Sequence, residues 1–600
     1  MKTRRWPLAV PVLAVAMWMT MSSAANAQVL QSVPNDAVVV VKIRNLQDVS
    51  TKVAALAQQL GIAGMNPAMA DPLAAVQAQS GVQNGLDKNG DLAIFVPSSA
   101  LDKPDADDKP AVMLWPVTDY KAFIGNFADA KEENGITTFT MGKNPNPVFA
   151  ANWGKYAAVS PNKELIAQKP AQGLTVQGLA AKELDSKDMT VFFNVAPARA
   201  KLLPKLKEER PNIIAKMKAE MGEDEAKKKY VPLAEAVINS GLDLAEQLLN
   251  ETNAATYGVA LNNDGINTTT LAEFDPKSKL GQRAAEFKGS NDTLLSGLPE
   301  GKYLFFGGCA VDSKALGGLI NELIAPAEGE LGKLGDEAKP ILQYIDAAKK
   351  MIAATESSRF ALHAPAGQLG QEAIFQQLSI AKGNAPAIGD AMKQMLEVQE
   401  QITALFGGGK VQAKTTVTPK AKTIAGVALD QFTSAINTAE QGPEAAQVQQ
   451  MMAIMYGPNG LSGYFGQIDP KTFVSSAGVS DELLEKTITA AKANSDTLGK
   501  LAGVTAVAKQ LPSSRLAAMY IPLDTIIGTG LTYAQQFGFG VQVQLPADLP
   551  PVGLTIGAEG SAVRADSHVP AQLVQSLVAA GMQAFMQMQG GKQPGGPGGL

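Results

Sequence analysis

The 600-residue chain carries 46% hydrophobic and 18% charged side chains, a composition that buries a core and excludes disorder as its general state. Its formal charge of -5, from 52 basic and 57 acidic residues, gives no electrostatic reason for a polyanion partner, so nucleic-acid binding is not expected. Two histidines, His363 and His568, and one cysteine, Cys309, exclude chemistry that needs several imidazoles, Cys-x-x-Cys zinc or redox sites, and an intramolecular disulfide.

The chain opens with Lys2, Arg4 and Arg5, continues through an apolar stretch over residues 7–21, and reaches Ser-Ser-Ala-Ala-Asn-Ala at Ala27. A basic start, an apolar run shorter than the ~20 residues that span a bilayer, and an A-x-A ending describe a secretory signal peptide over residues 1–27. Cleavage is expected between Ala27 and Gln28. No cysteine follows the run, which excludes a lipid anchor there, and Pro7 behind the arginine pair favours general secretion over the twin-arginine route. No later segment holds 18 uninterrupted apolar residues. The mature chain is therefore expected to lack an integral membrane segment and to be periplasmic or extracellular.

Similar segments then occur twice in the same order. Ser32-Val33-Pro34-Asn35-Asp36 leads into an apolar strand over 37–43 and a helical pattern over 46–60. Gly297-Leu298-Pro299-Glu300-Gly301 leads into a strand over 303–306 and a helical pattern over 313–324. Strands ending at Pro97 and Pro197 match strands ending at Pro365 and Pro522. Each half closes on a hairpin, around Asn262-Asn263-Asp264-Gly265 in the first and Gly560 in the second, where these residues tolerate the positive φ of a tight turn.

The spacing between matched segments changes along the chain, which requires additional residues in both halves. In the first they fall on 199–229, where Lys205, Lys207, Glu208, Glu209, Arg210 and the charges after them describe a solvated helical arm interrupted by Pro211. In the second they fall on about 410–456, a Thr/Val-rich strand pattern followed by a Met-rich helix. Ile238, Leu242, Ala245 and Leu249, and Ile341, Ile345, Ala348 and Ile352, lay apolar stripes along two helices that would bury against a sheet. These patterns predict an α+β fold of two similar halves, 28–290 and 294–589, each an antiparallel or mixed sheet packed with amphipathic helices. Val574, Leu577, Gly581, Phe585 and Met588 form a last stripe expected to pack on the second sheet, and the Gly/Pro/Gln tail 590–600 is expected to be disordered.

Motifs that could carry chemistry fail on their own geometry. Asp87-Lys88-Asn89-Gly90-Asp91 begins like a calcium loop, but Leu92 stands where the loop needs Gly and Ser98 where it needs Glu, which leaves an Asn-Gly turn before a strand. Asp105, Asp107 and Asp108 read as a solvated loop, and Gly407-Gly408-Gly409-Lys410 as a helix stop. Gly460-Leu461-Ser462-Gly463 lacks the spacing of a nucleophile elbow. Ser379-Ile380-Ala381-Lys382 matches the Ser-x-x-Lys of penicillin-recognising enzymes but ends a predicted strand, and no Lys-Thr-Gly follows. His363 reads as a packed core histidine opposite the position of Phe95, and Cys309 as a small buried apolar side chain. No residue is assigned a catalytic, cofactor-binding or metal-ligating role.

Val33-Pro34-Asn35-Asp36-Ala37 with its strand, the helix start Asn45-Leu46, and strand-Pro units such as Phe95-Val96-Pro97 give the chain a further character. With the leader they resemble a class of exported bacterial proteins of unknown function, and that resemblance brings no active site with it. The expected role is a non-catalytic binding or scaffold protein of the envelope or exterior, with an unidentified protein or an apolar ligand as partner. A second reading, a carrier of an apolar ligand or lipid between sheet and helices, follows from the methionines Met392, Met395, Met451, Met452, Met455, Met582, Met586 and Met588, whose soft side chains suit adaptable pockets. An extracytoplasmic hydrolase is the third, because catalytic carboxylates leave no spacing signature.

Overall fold

The structure, a computed structural model, describes residues 28–102, 111–142, 146–223, 225–310, 312–365, 367, 372–406, 411–438, 443–457, 460–536 and 545–590. The expected leader 1–27, the acidic residues Asp105, Asp107 and Asp108, the glycines before Lys410, and residues 591–600 lie outside the described residues. The fold is α+β and divides into two compact units, residues 1–208 with 248–281, and residues 209–247 with 282–600.

In the first unit, β1 (Ala37–Ile43) is followed by α1 (Leu46–Gln59), α2 (Pro72–Ser80), β2 (Leu92–Pro97), β3 (Val112–Pro116) and the short α3 (Tyr120–Ile124). Next come β4 (Lys131–Glu133), β5 (Ile136–Thr140), β6 (Pro147–Asn152), β7 (Tyr156–Ser160), α4 (Gly178–Ser186) and β8 (Met189–Asn194). The helices α5 (Val195–Gly222), α6 (Glu225–Lys228) and α7 (Val231–Glu251), of which residues 209–247 belong to the second unit, precede β9 (Thr252–Asn262), β10 (Gly265–Phe274) and α8 (Lys279–Glu286), whose residues from 282 onward also belong to the second unit. The sheet runs β10-β9-β8-β1-β2-β3-β7-β6-β5-β4, antiparallel throughout. At its last hairpin Asn262 accepts through Oδ1 from the backbone N–H of Asp264 and Gly265, at 3.0 and 2.9 Å, and Gly265 takes φ 146°. Those are the properties for which the turn residues stand out in the sequence.

The second unit carries β11 (Tyr303–Ala310), α9 (Ser313–Lys333), α10 (Lys339–Ala354), β12 (Thr355–His363), β13 (Gln376–Gly383) and α11 (Ala385–Phe406). Then follow β14 (Val411–Ile424), β15 (Val427–Thr438), α12 (Pro443–Tyr456), β16 (Leu461–Asp469), β17 (Thr472–Ala477), α13 (Asp481–Lys492) and α14 (Ala502–Lys509). It ends with β18 (Ala517–Ile521), α15 (Leu523–Gln536), β19 (Val552–Glu559), β20 (Ala562–Pro570) and α16 (Ala571–Gly590). Its strands run β20-β19-β18-β11-β12-β13-β17-β16-β15-β14, again antiparallel throughout. The order is that of the first sheet, strand for strand.

The additional residues of the second unit are distributed. β14 and β15 hold the places that β4 and β5 hold in the first sheet, so the extra chain resides in a longer hairpin, in α12, and in α11, which stands where the first unit has α3.

Pro211 does not interrupt the charged arm. α5 runs through Pro197, Pro204 and Pro211 as one helix. Pro197 lies in the first turn, where the N–H has no intrahelical partner to lose; each later proline removes one hydrogen bond. No residue of α5 is buried, so the freed carbonyls can turn to water. Nor are the arm's charges simply solvated: Arg210 pairs with Asp243 at 2.8 Å and Glu246 at 3.2 Å, and Lys218 with Glu235 at 2.8 Å.

One buried charge was invisible in the sequence. Lys42, in the apolar strand β1, is 1% exposed; its ammonium donates to the Leu184 carbonyl at 3.1 Å and meets Asp91 at 3.1 Å. α16 differs from its expected packing as well: Ala571 and Leu573 are buried at its start, whereas Phe585 and Met586 are exposed.

Candidate ligand cavity

Successive residues of a strand face opposite sides of a sheet, and the register of the second unit fixes which side chains share a face. On one side Arg359, Ile380 and Val474 stand in a row, as do Phe306, Ala361 and Leu378. Phe306, Ala361 and Ile380 join Leu294, Leu298 and Tyr520 in a dry core, and Leu378 and Val474 pack on Leu484 and Ile488 of α13.

On the other side the rows are Cys309, Ser358, Ala381 and Phe473, and Gly307, Phe360, Ser379 and Ser475. Most of these side chains are small, so the sheet presents a depression. Helices cover it instead of filling it: Leu316 of α9, Met351 and Ile352 of α10, and Ile388 and Met392 of α11 form the walls of a cavity of about 310 Å³. Gly389 sets how close α11 comes, because a Cβ there would lie 3.2 Å from the Phe473 ring. Thr355, Glu356 and Ser357 form the rim where α10 gives way to β12.

The polar groups of this cavity are mostly hydroxyls. Thr355 donates to the Met351 carbonyl at 2.8 Å, Ser358 lies 3.1 Å from the Cys309 thiol, and Ser357 accepts from Arg359 at 2.5 Å. Ser379 and Ser475 face each other across β13 and β17 and line the cavity. Glu356 is exposed and is the one charged residue of the lining. Arg359 itself is 3% exposed on the opposite face. Burial pulls its pKa below the usual arginine value, against the opposing charges of Asp292 and Asp496.

Cys309, read from the sequence as a buried apolar side chain, is only half-buried and forms part of the cavity floor. His363 is likewise half-buried, with Nδ1 3.2 Å from Gln376 Oε1 and its ring edge-on to Tyr303. Burial lowers its pKa, against the hydrogen bond to Gln376 and the charge of Glu372. Ser379 and Lys382 sit three residues apart on a strand and so point to opposite faces; the Lys382 ammonium is 2.5 Å from Asn494 Oδ1. Ser462 and Gly463 lie within β16 instead of on a strand-to-helix elbow.

At the calcium-like loop, Asp87 accepts from the Asn89 N–H at 3.1 Å, while Asp91 takes the Asn45 N–H at 2.9 Å and pairs with Lys42. Both carboxylates serve the turn and the start of α1. Of the methionines singled out in the sequence, Met392 lines the cavity, whereas Met451, Met455, Met582 and Met586 are exposed.

No family model matches this chain, and no curated protein matches it. Among solved structures, crystal forms III, IV and I of TP0453 align at 10% sequence identity over 48% of this chain and 98%, 96% and 97% of theirs, each with a TM-score of 0.18. A likeness of that size carries no argument about fold or function.

Proposed function

We propose that this chain is an exported, non-catalytic binding protein of the cell envelope or exterior, and that its second unit holds an apolar ligand between sheet and helices. The observation that carries the reading is the cavity. Its 310 Å³ is about twice the ~150 Å³ that suffices to hold benzene in an engineered protein core. Its walls are aliphatic and thioether groups that adapt to a flexible chain. Export rests on the basic, apolar and A-x-A pattern that ends at Ala27. The equal strand orders and the paired sequence segments support reading the two units as an internal duplication in which the second copy acquired the ligand site.

The test is extraction of the protein purified from its native host, followed by mass spectrometry of the organic phase. A chain lipid or other apolar molecule recovered in stoichiometric amount supports the proposal. A clean extract, together with no thermal stabilisation by added amphiphiles, refutes it.

A further inference from the structure

We propose that the cavity selects an uncharged amphiphile, whose hydroxyl or carbonyl group pairs with Ser379 and Ser475, over a ligand that ends in a carboxylate; this rests on the cavity being a ligand site. Ser379 and Ser475 are direct cross-strand partners, which places them close enough for one ligand oxygen to reach both. Neither hydroxyl makes a hydrogen bond among the described residues, although every other strand hydroxyl of the lining is engaged. Each can donate or accept, so the pair matches an alcohol, an ester or an amide equally well.

What the lining lacks is a cation. It contains no lysine, arginine or histidine, and its one charge, Glu356, makes no ion pair among the described residues. The nearest arginine, Arg359, reaches only the back of the site through Ser357, and Asp292 and Asp496 oppose its charge. A carboxylate drawn into this cavity would leave water without a counter-charge and approach another carboxylate, whereas a hydroxyl would exchange water for two serine partners. Nor can the carboxylate borrow Lys382, which lies on the opposite side of β13 and donates to Asn494.

The experiment uses the intact mature chain and three ligands with the same ten-carbon tail: decanol, decanoate and decylamine, each displacing the uncharged probe N-phenyl-1-naphthylamine at neutral pH. Decanol is expected to bind roughly tenfold more tightly than decanoate, and decylamine, which can pair with Glu356, serves as the control for charge of the other sign. Apolar partition alone also favours decanol, so the deciding measurement is the Ser379→Ala/Ser475→Ala double variant against decanol and decane. Loss of the two hydroxyls is expected to weaken decanol severalfold and leave decane unchanged.

If the hydroxyls merely occupy space, the alanines make the floor more apolar and decanol binds as well or better, which overturns the inference. Tighter binding of decanoate than of decanol overturns it too. If neither probe nor decanol binds, and Cys309 reacts with a maleimide at one rate with and without them, the proposed function falls along with the inference. Equal binding by all three ligands defeats the inference alone.

Discussion

Filling the cavity from its floor separates ligand binding from folding. Ala381 lies between Ser358 and Phe473 in the floor row, half-buried, with the methionine-lined walls above it. Ala381→Phe adds a phenyl ring, a group that needs about 150 Å³, to a space of 310 Å³, so roughly half of the room is taken without forcing the walls apart. Burial of the ring contributes ~1.5–3 kcal/mol, and imperfect fit against Met351 and Met392 costs ~1–3 kcal/mol. The unliganded variant should therefore unfold within about 1–2 kcal/mol of the parent, a small part of the ~5–15 kcal/mol that holds a domain together. The liganded state behaves differently: at a free ligand concentration of about 100 Kd the parent gains ~2.7 kcal/mol, and the variant should gain almost none. Urea unfolding with and without decanol reads both quantities in one protein. An unchanged ligand increment in Ala381→Phe would show that ligand sits elsewhere, and a variant that fails to fold would show that the depression is packed shut.

Two further substitutions test the reasoning outside the cavity. Lys42→Met removes the partner of Asp91 in a site where Lys42 is buried and Asp91 largely so, which should cost ~3–5 kcal/mol, while Lys42→Met/Asp91→Leu should recover most of it because Asp91 is no longer left without its cation; a double-mutant cycle by urea unfolding measures the difference, and equal losses in both variants would contradict the account. For His363 the sign is fixed by burial, which holds the folded pKa below the ordinary value of 6.5. The unfolded chain then binds the proton more readily, so this contribution to stability is complete above pH 6.5 and is lost as pH falls from there through the folded pKa. His363→Phe should flatten the fall in urea midpoint between neutral pH and about pH 5, and an unchanged slope would place the acid sensitivity in other groups.

Much of the architecture could be read from sequence because its signals are local. The strand after Pro34, the Asn-Asn-Asp-Gly turn and the helical stripe of Ile341, Ile345, Ala348 and Ile352 each depend on neighbours a few residues away, and each appears where it was expected. The arm departs from its reading because the carbonyls its prolines free lie on an exposed helix, where water takes the place of the lost hydrogen bonds. The cavity could not be read at all: Cys309, Ser358, Ser379 and Ser475 come from four strands, and only the register that aligns them shows that their small side chains fall in adjacent rows. Lys42 escaped for the same reason, since its partner Asp91 belongs to a turn almost fifty residues on and gains its meaning from the pairing of β1 with β2. Ile352 shows both sides of this. Its place on a stripe was legible, but the void it borders was not.

Sheets of equal strand order need not enclose equal spaces, and the side chains on one face of each sheet show how the second unit leaves room for its cavity. On the face of the first sheet that packs on α3, one row is Val41, Ile94, Met113 and Val159. These are bulky at every position, and Ile94 and Met113 pack directly on a core containing Trp115, Phe123 and Phe139. In the second unit the row is Cys309, Ser358, Ala381 and Phe473, and the five-residue α3 is replaced by the 22-residue α11. Small side chains below and a long helix above are both needed, because a floor of valine and isoleucine under α11 would close the gap, and small residues without α11 would open onto water. Changes in two separate stretches of sequence that act on one volume are hard to explain by stability alone, since unfilled space costs packing energy. Their coincidence is what a site for a ligand requires.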